Sequence, residues 1–225
     1  MQIKELILYT NSLGKLKDFY YETLGMNVIQ ESETSITLQS RLTNITFNLS
    51  NNLKDSFYHF AFNIPENQFR EAKDWAKQRV ELIKLKNEDE FDFKSWNAHS
   101  VYFYDPAGNI IELIARHNLK NSSQNIFTGN SLLGVSEIGC PVHKVKEFYE
   151  ILNDTFNIPS FSGDMKTFTA AGNDDGLFII VPQRRKWFPD CPEARIFPMT
   201  VKIISEEVNE LKLKDLPYKI ISVIE

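Results

Sequence analysis

The sequence predicts an α+β protein built from tandem βαβββ modules. Short runs of alternating apolar residues, typical of strands, flank segments in which apolar residues recur at helical spacing. The order of one strand, one helix and three strands occurs twice within residues 1–116. A helix motif of the first module returns at an offset of 129 residues, and an internal repeat of that length indicates duplication.

The first module begins with an alternating strand over residues 3–10. Asn11 or Ser12 can cap the helix that follows, and Gly25 is a typical helix-ending residue. The helix places apolar residues at helical spacing, namely Leu13, Leu16, Phe19, Tyr20 and Leu24. Three short strands are expected next, over residues 26–30, 35–39 and 44–48.

The second module repeats this order from residue 57. A strand over 57–64 precedes a helix that opens at Pro65 and presents Phe69, Ala72, Trp75 and Ala76 on one face. A short strand over 80–83 and an acidic loop over 88–92 follow. Residues 95–116 then read as a β-hairpin whose turn is Asp105-Pro-Ala-Gly-Asn.

Glu112 is the anomaly of this hairpin, because it is a carboxylate in an otherwise apolar strand. Burying it without compensation would cost several kcal/mol. It therefore needs a cation, a strong set of hydrogen bonds or solvent on its face.

The second half is predicted to be a degenerate copy of the first. Residues 1–116 form one predicted domain, the Asn- and Ser-rich stretch 117–131 a linker, and residues 132–225 a second domain. Its third module repeats the Leu16-Lys-Asp-Phe-Tyr helix motif as Val145-Lys-Glu-Phe-Tyr, with strands over 167–171 and 177–181. The truncated fourth module reads as strand 196–204, helix 206–213 and strand 218–224, without a closing hairpin.

Composition excludes several classes of function. A net charge of −5 argues against nucleic acid and, weakly, against an anionic membrane surface. Apolar runs are strand-sized and the N-terminus lacks a signal-peptide layout, so no membrane partner is expected. Cys140 and Cys191 are too few for a disulfide scaffold and are interpreted as free thiols in a reducing cytoplasm.

The tandem modules, the Phe-Tyr helix, the Asp-Pro-x-Gly-x-x-x-Glu hairpin and a histidine in the second module's first strand resemble the vicinal oxygen chelate superfamily. It includes glyoxalase I, fosfomycin-resistance thiol transferases, extradiol ring-cleaving dioxygenases and metal-free bleomycin-binding proteins. The resemblance implies that modules pair into cupped mixed sheets, with a divalent metal held inside the cup.

Carried over position by position, the resemblance implies metal ligands at Glu5, His59 and Glu112. Two carboxylates beside one imidazole favour Mn, Mg or Fe(II), while Ni and Zn remain possible. Each residue also has an ordinary interpretation. Glu5 could be a solvated edge-strand carboxylate, His59 a hydrogen-bonded core histidine, and Glu112 the partner of a buried cation.

Further residues could take part in chemistry at such a site. Tyr102 matches a substrate-contacting tyrosine of the fosfomycin-resistance branch and could donate a proton, or it could be a half-buried aromatic residue. His99 is a candidate general base and Trp96 a candidate stacking wall. The basic loop 184–187 could lie at the cup mouth and hold an anionic aromatic substrate, or simply be solvated. The acidic loop 88–92 argues against a phosphonate substrate.

Two functions follow from the resemblance, and an interaction protein with no ligand is a third interpretation. The first is a metal-dependent enzyme, glyoxalase-like or ring-cleaving, that chelates vicinal oxygens of a small substrate. The second is a metal-free protein that sequesters a drug-like or aromatic ligand in the same cup. Either could be a monomer or a homodimer.

Overall fold

Two mixed β-sheets and three α-helices make up the computed structural model, which describes residues 1–224. The helices are α1 (Leu13–Asp18), α2 (Phe69–Lys77) and α3 (Val145–Phe156), and a π-helical turn, Phe19–Thr23, continues α1. The strands are β1 (Gln2–Thr10), β2 (Asn27–Glu31), β3 (Ser35–Gln39), β4 (Asn44–Leu49), β5 (His59–Ile64), β6 (Phe91–Phe93), β7 (Ala98–Tyr104), β8 (Ile110–Arg116), β9 (Gly134–Val142), β10 (Ser160–Gly163), β11 (Thr169–Asn173), β12 (Gly176–Pro182), β13 (Met199–Ile204), β14 (Glu210–Lys212) and β15 (Tyr218–Val223).

Each sheet combines strands from both halves of the chain. The seven-stranded sheet has the order β14-β15-β13-β1-β4-β3-β2, so the first module is joined to the fourth. The eight-stranded sheet has the order β10-β11-β12-β9-β5-β8-β7-β6, which joins the second module to the third. The junctions are the antiparallel pairs of β1 with β13 and β5 with β9.

The predicted fold class of tandem modules in cupped mixed sheets is confirmed. The division into domains at 1–116 and 132–225 stays a prediction. Between β8 and β9 lies a segment without strands, which is hydrogen-bonded to the residues just before α2. The backbone N–H of Glu66 donates to the side chain of Asn121, and Asn67 exchanges two hydrogen bonds with the backbone of Ser123.

The main core lies on one face of the eight-stranded sheet. Phe60 and Phe62 of β5 point into it and are fully buried. Because side chains alternate along a strand, His59 and Ala61 point to the opposite face, as the alternation in the sequence predicts. That second face carries the candidate site.

The fourth module differs from its prediction. Residues 206–213 were expected to form a helix, but β14 pairs antiparallel with β15, which pairs in parallel with β13. This is the pairing of β3, β4 and β1 in the first module. The predicted absence of a closing hairpin is therefore wrong, and the elements that the fourth module lacks are the helix and its second strand.

Two further strands were not expected. Residues 91–93 fall partly in the predicted acidic loop but form β6 against β7, and β10 pairs with β11. In place of the predicted strand over 80–83 there is only a bridge between Leu82 and Phe103. Within residues 1–224, none of the helices has the length and apolar character needed to traverse a bilayer.

Candidate metal centre and ligand cavity

His59 lies at the start of β5 and is 6% exposed. Its Nδ1 is 3.2 Å from the carbonyl oxygen of Ile110, and since a carbonyl can only accept, Nδ1 carries the proton. Nε2 therefore presents a lone pair to the cup. Burial lowers the pKa of His59 to about 4, so the ring is neutral at physiological pH.

Glu112 lies on β8, and one carboxylate oxygen is 3.7 Å from Nε2 of His59. It is 2% exposed. Burial raises the pKa of Glu112 well above its ordinary value, and the neighbouring Glu137 carboxylate raises it further. A cation beside such a buried carboxyl would stabilise its ionised form.

Glu137 on β9 completes the group. Its Oε2 is 4.0 Å from Nε2 of His59, while its other oxygen accepts a short hydrogen bond from Arg116. Burial raises the pKa of Glu137, and the guanidinium of Arg116 opposes that shift. The residue was missed because the helix motif aligns Gly134, and not Glu137, with Glu5.

A β-bulge explains the missed residue. Ala61 pairs with Glu137 and Asn63 with Gly134, so β9 holds one residue more than β5 across this interval. In a regular strand, residues three positions apart face opposite sides of the sheet. The extra residue of the bulge reverses this, so Gly134 and Glu137 both face the cup. The available signal was a glutamate within an apolar strand, the same anomaly as at Glu112.

Ligand atoms of His59, Glu112 and Glu137 all lie within 4.8 Å of one another. In the described part of the chain, residues 1–224, this is the single group of three or more potential metal-binding side chains at such a spacing. One neutral imidazole and two carboxylates that converge their lone pairs fit a divalent cation with oxygen-preferring character.

Arg116 orients Glu137 within this group. Its side chain is fully buried at the end of β8, where it pairs with Glu137 and lies 3.5 Å from the carboxylate of Asp174. Its guanidinium carbon also lies 5.3 Å from the centre of the Trp96 ring. Arg116 thereby fixes one oxygen of Glu137 and leaves the other directed at His59.

Glu5 does not belong to this group, which corrects the predicted set of Glu5, His59 and Glu112. It lies on β1 in the other sheet, and its carboxylate forms an ion pair with Lys202 of β13. The first and second modules lie in different sheets. The module-opening strand that pairs with β5 is therefore β9 of the third module, and not β1 of the first. Glu137 occupies the place assigned to Glu5.

The three residues of the group line a cavity of about 300 Å³. Six of the twelve lining residues are Phe, Trp or Tyr. The lining residues are His59, Phe93, Trp96, Tyr102, Glu112, Glu137, Ser162, Phe168, Ile179, Arg185, Trp187 and Phe188. The volume lies at the lower end of the usual range for small-molecule sites.

Of the two predicted catalytic residues, the structure places Tyr102 in the cavity and His99 outside it. Tyr102 lies directly across the hairpin from Glu112 and is 4% exposed. Burial and the two carboxylates raise the pKa of Tyr102 well above its ordinary value, which keeps its hydroxyl protonated. His99 points to the other face of β7, packs on Phe69 and has Nδ1 2.8 Å from Nε2 of His117.

The loop over 184–187 reaches the cup, as one of its two interpretations predicts. The ring of Trp187 lies 5.0 Å from the His59 ring, measured between centroids. This position depends on Gly139 of β9, where an added Cβ would lie 2.7 Å from Cη2 of Trp187. A strand residue without a side chain thus lets the tryptophan lie beside the metal centre.

The acidic loop is not a barrier to anions, contrary to expectation. Asp89 pairs with Lys73 and Lys77 of α2, and Glu90 pairs with Lys73. None of the four acidic side chains Glu88, Asp89, Glu90 and Asp92 lines the cavity. The argument against a phosphonate substrate therefore loses its physical basis.

Comparison with known proteins gives a family and a fold. Residues 2–113 match the profile of the Glyoxalase/Bleomycin resistance protein/Dioxygenase superfamily. Metallothiol transferase FosB of Staphylococcus haemolyticus is 29% identical over 117 residues, which cover 49% of this chain and 81% of the relative. FosB of Staphylococcus epidermidis is 28% identical over 117 residues, covering 49% of this chain and 81% of the relative.

Two solved structures extend the similarity in fold to the whole chain. A Bacillus subtilis strain 168 protein, described provisionally as a dioxygenase, aligns with a TM-score of 0.68 over 99% of this chain and 85% of its own, at 11% identity. A point mutant of glyoxalase I from Zea mays aligns with a TM-score of 0.59 over 99% of this chain and 93% of its own, also at 11% identity. At these identities the likeness concerns the fold alone.

Proposed function

Because this chain belongs, through residues 2–113, to the Glyoxalase/Bleomycin resistance protein/Dioxygenase superfamily, we propose that it is a metal-dependent enzyme acting on a small oxygen-rich substrate. His59, Glu112 and Glu137 would hold a divalent cation. The observation that carries the proposal is the convergence of three lone-pair donors within 4.8 Å in the lining of a cavity.

The electrostatics of the group support a cation. Nε2 of His59 has no proton to offer, because Nδ1 is bound to the Ile110 carbonyl. It lies 3.7 Å and 4.0 Å from the oxygens of Glu112 and Glu137. Without a cation, burial favours the protonated form of Glu112, and a bound cation would replace that proton and be shared by both carboxylates and Nε2.

When bound, a divalent cation would act as a Lewis acid toward adjacent oxygens of a substrate. The residues of the chain would position that chemistry. The Ile110 carbonyl holds His59 in one tautomer, and Arg116 orients Glu137. Tyr102 keeps its proton and lines the cavity beside Glu112, so it can donate to a substrate oxygen.

Metal content provides the test. Untagged protein purified without chelators should contain a divalent metal close to one equivalent, measured by elemental analysis. Glu112→Gln and Glu137→Gln should each weaken metal binding by about tenfold or more, because one anionic ligand is lost. Glu5→Gln is the matched control and should retain the metal, since Glu5 pairs with Lys202 in the other sheet. Equal metal content in the Glu137→Gln variant and the parent protein would contradict the proposed ligand set.

A metal-free ligand-binding protein is the second candidate, and one observation favours it. Arg116 already neutralises Glu137, and burial already favours the protonated form of Glu112. The site can therefore exist as a closed network of His59, Glu112, Glu137 and Arg116. Absence of metal from the parent protein, even after reloading with Mn, Fe(II), Ni or Zn, would favour this function.

A further inference from the structure

The lining of the cavity combines a group of polar side chains with several aromatic rings. His59, Glu112, Glu137 and Tyr102 lie close together in its lining. Aromatic rings of both halves of the chain line the rest of the cavity, Phe93 and Trp96 from the first half and Phe168, Trp187 and Phe188 from the second. Phe93 and Phe188 close the wall where their centroids are 5.7 Å apart. Such a slot suits a flat, apolar ligand body.

Arg185 is the one basic side chain among the residues that line this cavity. It is half-buried, and its guanidinium carbon lies 5.5 Å from the centre of the Phe168 ring. Among residues 1–224, no carboxylate lies within 4 Å of its guanidinium. Asp164 attracts it from farther away, but its carboxylate accepts hydrogen bonds from Lys166, Thr167 and Phe168 in its own turn.

The neighbouring cations of the same loop behave differently. Arg184 is 3.7 Å from the carboxylate of Glu193, and Lys186 is 3.4 Å from that of Asp190. Both side chains are largely exposed. Arg116, the other arginine near the cavity, is held by Glu137 and Asp174. Arg185 is thus the cation of this region that faces the cavity without an acidic partner.

We infer that the ligand is a small aromatic anion, whose ring packs against the aromatic lining of the cavity and whose anionic group pairs with Arg185. The inference rests on the proposed function for one feature only, the adjacent oxygens that the ligand would direct at the metal centre. A guanidinium in a partly desolvated aromatic slot binds a carboxylate through charge-assisted hydrogen bonds, which a neutral amide cannot replace.

Binding of two matched probes tests the inference. 3,4-Dihydroxybenzoate and 3,4-dihydroxybenzamide share the ring and the adjacent oxygens but differ in charge. Isothermal titration calorimetry under anaerobic conditions, with Mn²⁺-loaded protein, should show binding of the acid about tenfold or more tighter than binding of the amide. Arg185→Gln should remove this preference. Arg184→Gln, the same change at the adjacent exposed arginine, should preserve it.

The outcomes separate this inference from the proposed function. Equal affinity for the two probes in the parent protein, or a preference that survives Arg185→Gln, would overturn the inference. A protein that retains metal yet shows no preference would overturn it while the proposed function stands. A preference that depends on Arg185 in protein without metal would support the inference and point to the metal-free function.

Discussion

Asp105 organises the turn of the closing hairpin. One oxygen accepts hydrogen bonds from the backbone of Ala107 and Asn109, at 2.9 Å and 3.0 Å. The other accepts from the hydroxyl of Tyr20 at 2.9 Å and the side chain of Asn109 at 2.7 Å. The Asp-Pro-Ala-Gly-Asn motif therefore does more than reverse the chain, because it joins the second module to the helical segment of the first.

Asp105 should make stability depend on pH. Burial raises its pKa from 3.8 to about 6, so its stabilising contribution is complete below 3.8 and is lost as pH rises through about 6. The free energy of unfolding of the parent protein, relative to Asp105→Asn, should be about 2 kcal/mol larger at pH 4 than at pH 7. Urea unfolding at both pH values measures this difference.

The exposed Asp154 of α3 provides the control for that experiment. Asp154→Asn should show no such change between pH 4 and pH 7, since it exchanges one solvated group for another. A difference between the parent protein and Asp105→Asn that is the same at both pH values would contradict the assignment of the effect to Asp105.

At the scale of single residues, alternation along a strand correctly predicted which side chains face the cup. His59, Tyr102 and Glu112 face the cup as expected. Glu137 could not be found by counting from the helix motif, because a bulge in β9 changes which face of the sheet its residues point to. No local sequence pattern marks the bulge. His99 was assigned to the site on proximity in sequence, although it alternates away from Tyr102.

At the scale of elements, the contact between β9 and the loop over 184–187 controls the shape of the cavity. Gly139→Ala should expel Trp187 from beside His59, because the new methyl group would lie 2.7 Å and 2.9 Å from two ring carbons. We expect a loss of about 1–3 kcal/mol in the free energy of unfolding and an altered near-ultraviolet circular dichroism spectrum.

A control and a rescue make this prediction specific. Gly14→Ala in α1 should leave the spectrum unchanged and should not destabilise the protein, since nothing lies within 4 Å of its added Cβ and alanine is the better helix former. Adding Trp187→Leu to Gly139→Ala should recover part of the lost stability by giving the methyl group room. No effect of Gly139→Ala on either measurement would mean that the loop does not pack on β9.

Elements with long periodic patterns were predicted well, and short ones were not. The helix motif at Val145 corresponds to α3 over Val145–Phe156. Residues 206–213 carry apolar residues at a spacing that suits a helix, but the segment is short enough for sheet pairing to override the pattern. Leu211 pairs with Ile220, and Glu210 contacts Lys212 and Lys219 on the exposed edge.

At the scale of the molecule, the pairing of modules determines which residues can meet. Two modules in one half of a chain suggest a self-contained domain, and local patterns carry no information against it. The structure instead joins the second module to the third, so Glu137 from the second half reaches His59 and Glu112 from the first. The candidate site is consequently a property of both halves, as are the cavity walls.

This arrangement predicts that the halves remain associated after the connection is cut. Ile126 is 88% exposed between β8 and β9, so a specific protease site inserted there should be accessible. The nicked chain should elute from gel filtration as one species at the same volume as the intact protein and keep its metal. Each half separated under denaturant and refolded alone should lose metal binding, because neither contains all three ligands, and mixing should restore it. Halves that separate without denaturant, or an isolated first half that binds metal as tightly as the intact chain, would contradict a site shared between them.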